Sequence, residues 1–244
     1  MRVSKKKVIV LSLGGSLIVP ENVDVKFLSE FRKIILRNTN KYKFIIVCGG
    51  GSTARKYISA LREAGINEKL QGLSGISATR MNARFMNYFF NINPEHGIPH
   101  TIKVLKRYIR KQNIVFCGAL KYKVDQTSDS TAAEIAKKLK AGFVNLSNVA
   151  GLYDKNPRKD KGAKFIPRIS WNDFYKMAHK QKFKPGQHFI LDQTASKIIM
   201  KNKIKTYLLG KNLKEFESFL KNKKFKGTII GEAITHRLRE TLKK

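Results

Sequence analysis

Two glycine turns, each directly after an apolar run, are the first candidates for chemistry in this sequence. Gly14-Gly15 follows the apolar run 8–13, and Gly49-Gly50-Gly51 follows the run 44–48 and precedes a predicted helix. Glycine lets the backbone turn tightly and brings bare N–H groups close to an anion. Either turn alone is weak evidence and is better explained as a plain tight turn. Two such strand–glycine–helix units together indicate a protein that binds phosphate groups.

Three side chains elsewhere could take part in phosphate chemistry, and each has a simpler alternative. Asp129 stands at a predicted helix start, so it is either a functional carboxylate or part of an N-terminal cap. Lys197 is one of many lysines and, from the residues alone, is a solvated helix side chain. Arg55 is either a phosphate contact or an exposed residue of the helix after the second glycine turn.

The elements that must position these residues alternate between strands and helices. Strands are predicted over 8–13, 42–48, 114–117, 143–146, 204–209 and 227–230. Helices are predicted over 24–38, 52–64, 78–91, 101–111, 127–140, 171–180, 191–202 and 212–221. This alternation predicts an α/β fold, a three-layer α/β/α sandwich with a mostly parallel central sheet and ligands at the carboxyl ends of its strands.

Three local expectations accompany this pattern. The stretch 66–76 is predicted as a loop because it contains two glycines, and a Lys/Pro/Gly loop is predicted over 182–187. The helix 78–91 carries a Met/aromatic stripe that belongs either to the core or to a subunit interface. No repeat or linker interrupts the chain, so we expect one domain over residues 1–231 and a basic tail over 232–244.

The composition is strongly basic. The 244 residues include 50 Lys and Arg against 17 Asp and Glu, a formal net charge of +33, which attracts polyanions. Because the lysines are spread evenly, a generally lysine-rich composition is favoured over dedicated nucleic-acid binding. Cys48 and Cys117 each end a predicted buried strand and have no metal or disulfide spacing, which indicates a cytoplasmic protein. No apolar run is long enough to span a membrane.

With these residues laid out, the chain resembles the amino acid kinase family and, within it, archaeal-type uridylate (UMP) kinases. The resemblance extends over residues 7–231, nearly the whole chain, and is carried by seven collinear stretches. They lie at 13–22, 48–58, 75–83, 127–129, 147–153, 156–160 and 192–199.

The resemblance implies transfer of the γ-phosphoryl group of ATP to UMP, giving UDP for pyrimidine synthesis, with Mg²⁺ and no covalent intermediate. It implies catalytic roles for Lys197, Asp129, Gly14 and Gly15, and it assigns no side chain as a metal ligand. The residues implied on the ATP side are Gly14, Gly15, Ser16, Gly51, Arg55, Ser147, Asn148, Tyr153 and Asn156. Those implied on the UMP side are Gly50, Gly72, Arg80, Thr127 and Ser128, with a structural role equally open for Arg80. The resemblance also implies a homo-oligomer, commonly a hexamer.

Several positions depart from the family pattern where the substrates are bound. Gly72 stands where archaeal uridylate kinases have an Asp that contacts UMP, and the loop 118–126 is longer and lacks a Pro-Gly turn. Ala150 and Asn156 each replace an Asp, and Ser12 stands where many relatives have Lys. These departures leave two alternatives open: a kinase of the same fold with another phosphate-ester acceptor, or a non-catalytic relative that binds nucleotides or RNA.

Overall fold

The structure is a computed structural model that describes residues 6–93, 97–122, 127–157, 160–180 and 191–232. The strands in these ranges are Lys7–Leu13 (β1), Tyr42–Cys48 (β2), Ile114–Cys117 (β3), Gly142–Leu146 (β4), Leu152–Tyr153 (β5), Phe165–Ile166 (β6), Arg168–Ser170 (β7), Thr206–Leu209 (β8) and Thr228–Gly231 (β9). The helices are Gly15–Ile18 (α1), Val25–Arg37 (α2), Gly51–Glu63 (α3), Glu68–Phe89 (α4), Ile102–Lys111 (α5), Ser128–Leu139 (α6), Trp171–Lys180 (α7), Gln193–Lys201 (α8) and Leu213–Leu220 (α9).

A seven-stranded sheet runs through the molecule in the order β3-β2-β1-β4-β8-β9-β7. Its neighbouring strands are parallel except for the antiparallel pair β8 and β9. The mostly parallel sheet of the predicted α/β fold is therefore confirmed.

Helices cover both faces of the sheet. Because successive strand residues point to opposite faces, neighbouring residues of one strand belong to different core clusters. On one face Leu11 of β1 belongs to a core cluster with Phe31 of α2 and Phe216 of α9. On the other face Val10 belongs to a cluster with Ala133 of α6 and Ile199 of α8. Continuous apolar strands such as β1 and β2 are typical of parallel sheets covered in this way.

Two predicted helix ends are confirmed. Asp24 caps α2, because its carboxylate accepts a hydrogen bond from the Phe27 amide at 3.0 Å. Gly65 follows α3 with φ +70°, a left-handed conformation that suits glycine at the end of a helix.

The loop predicted over 66–76 is wrong, because α4 begins at Glu68 and continues through both glycines. Asn67 starts the helix by accepting a hydrogen bond from the Leu70 amide at 3.1 Å. Glycine inside a helix costs about 1 kcal/mol relative to alanine, which is why the sequence predicts a loop. Here each of the two glycines lies against another part of the chain that a side chain would displace: Gly75 against Ile58, and Gly72 against the ring of Tyr122.

The Met/aromatic stripe of α4 divides between core and surface. Met86 and Phe90 are buried, Phe85 and Phe89 pack half-buried against the same cluster, and Met81 is 50% exposed. None of the described helices is both long enough and apolar enough to cross a membrane.

Smaller differences lie in the second half of the chain. The polar stretch 153–164 is flanked by β5 and β6, which pair as an antiparallel ribbon, and β7 adds an edge strand to the sheet. The predicted loop 182–187 and the predicted tail beyond residue 232 lie outside the described residues.

Candidate active site

The candidate site lies where the strand order of the sheet reverses. The chain passes from β1 to β2 on one side and later returns to β4 on the other side of β1. In open α/β sheets, ligands bind outside the carboxyl ends of the strands at such a reversal. Gly14 follows β1, and its amide donates a hydrogen bond to the carbonyl of Leu146, the last residue of β4, at 2.9 Å. Ser147 follows directly, so this crevice joins two of the predicted ATP-side segments.

The two glycine turns contact each other backbone to backbone. A Cβ atom on Gly15 would overlap the amide nitrogen of Gly51 and lie 2.7 Å from that of Gly50. A Cβ atom on Gly49 would in turn overlap the amide nitrogen of Gly15. Gly51 has φ +66°, a conformation that other residues rarely adopt. We call residues 14–15 and 49–51 the glycine junction; it brings together main-chain segments far apart in sequence.

The glycine junction is held by hydrogen bonds from its surroundings. The side-chain amide of Asn82, on α4, donates to the Gly49 carbonyl at 2.7 Å. The Ser52 amide donates to the Val19 carbonyl at 3.0 Å. The junction also forms the first turns of α1 and α3, where amides lack acceptors within the helix. The amides of Gly14, Gly49 and Ser52 donate to carbonyls elsewhere in the chain, and the other amides of these turns can bind phosphate oxygens.

Asp129 places a carboxylate next to the ends of β1 and β4. Its Oδ1 accepts hydrogen bonds from Ser12 Oγ at 2.6 Å and from Asn145 Nδ2 at 2.8 Å. Burial raises the pKa of Asp129 to about 7, and the nearby Asp192 carboxylate acts in the same direction, while the two hydrogen bonds oppose the shift. Asp129 therefore changes its charge close to neutral pH.

Asn145 has an unused acceptor beside this carboxylate. Its Oδ1 is buried and has no hydrogen-bond partner among the described residues, a situation that costs about 1–3 kcal/mol. With Asp129 it offers the hard oxygen ligands that Mg²⁺ prefers. The described part of the chain has no group of three or more His, Cys, Asp or Glu that could hold a metal ion. A divalent ion here would have to share its coordination with a substrate.

Asp192 joins the beginnings of α6 and α8. Its carboxylate accepts hydrogen bonds from the hydroxyls of Thr127 and Ser130, both at 2.6 Å, and from the Ala195 amide at 2.7 Å. The Thr127 hydroxyl also accepts from the Asp129 amide at 3.1 Å, so Thr127 is the N-cap of α6. The cap in the Thr-Ser-Asp stretch is therefore the threonine.

Lys197 lies on α8, five residues beyond Asp192, and its side chain is exposed. It forms no ion pair within the described residues. Asp192 thus anchors the helix that carries Lys197, while the ammonium group itself stays free to meet an anionic ligand.

The predicted acceptor side is formed by α4 and the segment 118–122, which we call the acceptor wall. Arg80 donates hydrogen bonds from Nε to the Ala119 carbonyl at 3.1 Å and from Nη2 to the Leu120 carbonyl at 2.9 Å. Thr79 Oγ1 accepts from the Ala119 amide at 3.0 Å. Arg80 is thus committed to holding this segment, which favours the structural interpretation of this residue.

Gly50 and Gly72 face different parts of the wall. A Cβ atom on Gly50 would lie 3.6 Å from the Gly75 carbonyl, so the glycine junction approaches α4 at that point. A Cβ atom on Gly72 would overlap Cε2 of Tyr122. An aromatic ring therefore lies at the position where the resemblance implies a carboxylate.

The remaining ATP-side residues are spread more widely. Ser16 and Asn148 are half-buried, and the Ser147 hydroxyl accepts a hydrogen bond from the Val149 amide at 3.2 Å. The Tyr153 ring packs edge-on against Phe165, with 5.3 Å between centroids.

Two polar side chains on this side are exposed. Arg55 donates to the Pro20 carbonyl at 3.3 Å, and the Asn156 carbonyl accepts from the Asp160 amide at 2.9 Å. Ser128, on the acceptor side, is half-buried at the start of α6. No hydrogen bond within the described residues joins Arg55 or Tyr153 to the glycine junction.

Sequence reasoning missed most of the residues that hold the site together. From the sequence, Ser12 is only a departure from the family pattern, and no role is predicted for Asn145, Asp192 or Asn82. Ser12 and Asn145 do carry a signal in the sequence, since each is a polar residue that interrupts an apolar run forming a buried strand. A buried polar side chain needs a partner, and both find it in Asp129.

The two cysteines play no part in this chemistry. Both are buried and unpaired at the ends of β2 and β3. Burial raises the pKa of the Cys117 thiol to about 12 and that of Cys48 well above its ordinary value. Neither sulfur is a nucleophile at neutral pH.

Comparison with known proteins gives one consistent result. The sequence profile of the amino acid kinase family matches residues 7–210. A uridylate kinase from Thermococcus kodakarensis is 32% identical over 83% of this chain and 90% of its own length. One from Thermoplasma volcanium is 34% identical over 92% of this chain and 97% of its own length. The crystal structure of uridylate kinase from Archaeoglobus fulgidus superposes with a TM-score of 0.78 and 30% identity, covering 91% of this chain and 99% of that one.

Proposed function

Since the chain belongs to the amino acid kinase family, we propose that it is a uridylate kinase. It transfers the γ-phosphoryl group of ATP to UMP and forms UDP, a step of pyrimidine nucleotide synthesis. The observation that carries this proposal is the glycine junction, which presents main-chain donors beside Asp129 at the switch point of the sheet. The similarity to uridylate kinases over most of the chain supports it.

Phosphoryl transfer requires positioning and charge neutralisation more than a nucleophilic side chain. Gly15 donates a hydrogen bond from its amide to the transferred phosphoryl group. The Gly14 amide, predicted for the same role, is already bonded to the Leu146 carbonyl, so Gly14 acts by fixing this turn at the end of β4. Gly50 contacts the acceptor nucleotide and Gly51 the ATP side, so the contact between the two turns sets the distance between the reacting groups. Because these contacts are made by the backbone, no side-chain rotamer has to be ordered when the substrates bind.

Charge at the reaction centre is balanced by Asp129 and Lys197. The Lys197 ammonium approaches the phosphates and stabilises the negative charge of the transition state. Asp129, held by Ser12 and Asn145, orients the phosphate-binding groups. Mg²⁺ bound with ATP would supply positive charge that neutralises the phosphate groups. The oxygen atoms of Asp129 and Asn145 are the part of the described chain that suits it.

The other predicted residues complete the two nucleotide sites. On the ATP side these are Ser16, Arg55, Ser147, Asn148, Tyr153 and Asn156. On the acceptor side Thr127 and Ser128 begin α6, and Arg80 acts by holding the segment 118–122.

One observation favours a second candidate, a kinase of the same fold with another phosphate-ester acceptor. At Gly72 the acceptor wall has no side chain, and the Tyr122 ring lies against it. A changed contact at this place changes the choice of acceptor before it changes the transfer chemistry. The non-catalytic alternative has no comparable support.

The experiment is to measure ATP consumption by the purified protein with Mg²⁺ in the presence of UMP, CMP, dUMP, AMP or GMP. We expect UMP to give the highest kcat/KM. A higher kcat/KM with another acceptor replaces the first proposal by the second. Absence of turnover with all five, in a protein that binds ATP, contradicts the first proposal and restricts the second to acceptors other than these nucleotides.

We also propose that the enzyme is a homo-oligomer, a hexamer by resemblance. One face of α4 is exposed along its whole length with the spacing of a helical stripe, and four of its residues are apolar: Leu70, Leu73, Met81 and Tyr88, which are 38–60% exposed. A second copy is the occupant we propose for this face, because clustered exposed apolar side chains mark interaction sites. The exposed Ser77 and Arg84 lie between the apolar residues on the same face.

Light scattering coupled to size-exclusion chromatography tests this assembly. Replacing Leu73 and Met81 together by Glu should yield smaller particles of unchanged fold, whereas the same double replacement at Val23 and Val25, exposed beside α2, should not. An unchanged particle mass for the α4 variant contradicts an interface at this face.

We place the activity in a single domain over residues 1–231 and in the cytoplasm. The support is the common sheet that reaches from β1 to β9 and the two unpaired, buried cysteines, which suit a reducing compartment.

A further inference from the structure

We propose that Tyr122 is the residue that contacts the base of the acceptor nucleotide, and that Gly72 exists to make room for it. This inference rests on the proposed function, because it concerns the acceptor site of the same reaction. It goes further in assigning recognition of the base to an aromatic ring.

The path of the segment 118–122 places Tyr122 on the acceptor wall. Its beginning is fixed near Arg80, whose guanidinium binds the carbonyls of Ala119 and Leu120. Its end is fixed at Gly72, which the Tyr122 ring touches. Arg80 and Gly72 are eight residues apart on α4, a rise of about 12 Å. The segment bends at 120–121, and its contacts with α4 extend over this interval, from Arg80 to the Tyr122 ring at Gly72.

The same wall approaches the glycine junction one helical turn away. The carbonyl of Gly75 lies 3.6 Å from where a Cβ atom of Gly50 would stand. Gly72 lies three residues before Gly75, about 5 Å along the helix axis. An acceptor whose phosphate lies at the glycine junction can therefore extend its nucleoside along α4 toward Tyr122.

The Tyr122 ring meets Gly72 with an edge. The position of a Cβ atom on Gly72 is nearest to Cε2, farther from Cδ2 at 3.1 Å and farthest from Cζ at 3.5 Å. A ring lying flat on the helix would place these three atoms at more similar distances. Gly72 thus supports the ring at its rim and covers neither face. The side chain is half-buried, and its hydroxyl forms no hydrogen bond within the described residues.

The glycine is a requirement of this arrangement. Any Cβ atom at position 72 would overlap the ring and move it away from the helix. The position of the Tyr122 ring therefore depends on Gly72, although the two residues are fifty positions apart in sequence. The ring acts by stacking, since stacking uses a face that every base possesses. We therefore expect Tyr122 to contribute equally to the binding of UMP and CMP.

The test compares wild type with Tyr122→Ala and Tyr122→Phe by calorimetric titration of UMP and by steady-state kinetics. Stacking on an aromatic residue contributes about 1–3 kcal/mol per base, which corresponds to a loss of UMP affinity of about 5- to 150-fold. We expect Tyr122→Ala to raise Kd and KM for UMP and for CMP by the same factor within this range, with the KM for ATP unchanged. Tyr122→Phe retains the ring and should stay within about threefold of wild type.

The matched control is Tyr175→Ala. Tyr175 is a half-buried tyrosine on α7 that packs against His179, and α7 packs on β7 at the opposite edge of the sheet from β3. This variant should leave UMP affinity unchanged.

A double-mutant cycle tests the coupling to Gly72. Gly72→Ala should weaken UMP binding when Tyr122 is present and have no further effect in the Tyr122→Ala background. Additive effects overturn the coupling. Unchanged UMP affinity in Tyr122→Ala, an equal loss for ATP, or a loss in Tyr122→Phe as large as in Tyr122→Ala overturns the stacking role. Because binding is measured without turnover, an inactive wild type that binds UMP through Tyr122 refutes the proposed function and leaves this inference standing.

Discussion

The glycine junction and the acceptor wall differ in how much of each contact is made by the backbone. At the junction, residues 14–15 and 49–51 meet through backbone atoms, and a side chain at Gly15 or Gly49 would enter the other turn. At the acceptor wall, the segment 118–122 meets the backbone of α4 at Gly118, where a Cβ atom would overlap main-chain atoms of Thr79 and Arg80. Beyond Gly118 the contacts are made by the side chains of Arg80, Thr79 and Tyr122. Under the proposed function, the backbone contacts of the junction hold the transferred phosphate in one place, and the side chains of the wall determine the choice of acceptor.

The largest effect is expected from Gly15→Ala. The added methyl group overlaps the backbone of Gly51 and Gly50, which cannot rotate away. Because misplacing the reacting groups by about 1 Å costs two orders of magnitude in rate and phosphate donors are lost as well, we expect turnover to fall about a thousandfold. Gly142→Ala is the matched control, since nothing lies within 4 Å of a Cβ atom there. Turnover by Gly15→Ala near the wild-type rate would mean that the two turns can separate without loss.

Lys197→Ala should reduce kcat about 10²- to 10³-fold, because a fixed positive charge is lost from the transition state. The side chain is exposed, so the thermal unfolding midpoint should not change. Lys201→Ala, an exposed lysine later on α8, is the control. Equal, small decreases of kcat in both variants would contradict a catalytic role for Lys197 and indicate a solvated surface lysine.

Asp129→Asn tests the charge of the Asp129 carboxylate through the pH dependence of kcat/KM. The pKa of Asp129 is about 7, and in the proposed mechanism the carboxylate is the form that orients the phosphate-binding groups. The kcat/KM of wild type should therefore rise with pH through a midpoint near 7, and the variant should lack that rise. Titration of the UMP phosphate is common to both proteins and cancels in their ratio.

The same substitution has a predicted effect on stability. A carboxyl with a raised pKa binds its proton more tightly in the folded state, so wild type loses stability as pH rises from about 4 to about 7. Asp129→Asn should unfold at higher denaturant concentration than wild type at pH 8, and the difference should vanish near pH 4. A variant that is less stable at both pH values contradicts the raised pKa.

The smallest effect is expected from Arg80→Ala, on the acceptor wall. Loss of the hydrogen bonds to Ala119 and Leu120 should lower the free energy of unfolding by about 1–2 kcal/mol and raise the KM for UMP several-fold through displacement of Tyr122. Arg62→Ala, at an exposed position of α3, is the control. A large fall in kcat without loss of stability would instead indicate contact with the acceptor phosphate.

The contrast between the two regions also explains what the sequence could predict. The glycine turns and the strands before them carry local signals, apolar runs ending in glycine. For this reason β1, β2 and the location of both turns at the carboxyl ends of these strands were predictable. The contact between the turns was not, because it depends on the pairing of β1 with β2. The helical state of Gly72 was missed for a similar reason, since its packing partner, Tyr122, lies far along the chain.

The network around Asp129 shows where local reasoning reaches its limit. Its position at a helix start was predictable, and a cap was the simplest interpretation. The structure shows that Thr127 fills that role, while Asp129 meets Ser12 and Asn145 from two adjacent strands. The identity of these partners follows from strand order, which the residues near Asp129 do not contain.

The contact between Gly15 and Gly49 has a consequence for the ways in which this protein can evolve. A mutation that adds a side chain at either position meets main-chain atoms, and no second mutation nearby can remove a main chain. A second mutation therefore cannot compensate for a side chain added at Gly15 or Gly49. At Gly72 the obstacle is a removable ring, so a change there becomes tolerable once Tyr122 has changed. New acceptors are accessible to this scaffold through paired steps at positions 72 and 122, with the phosphate site left as it is.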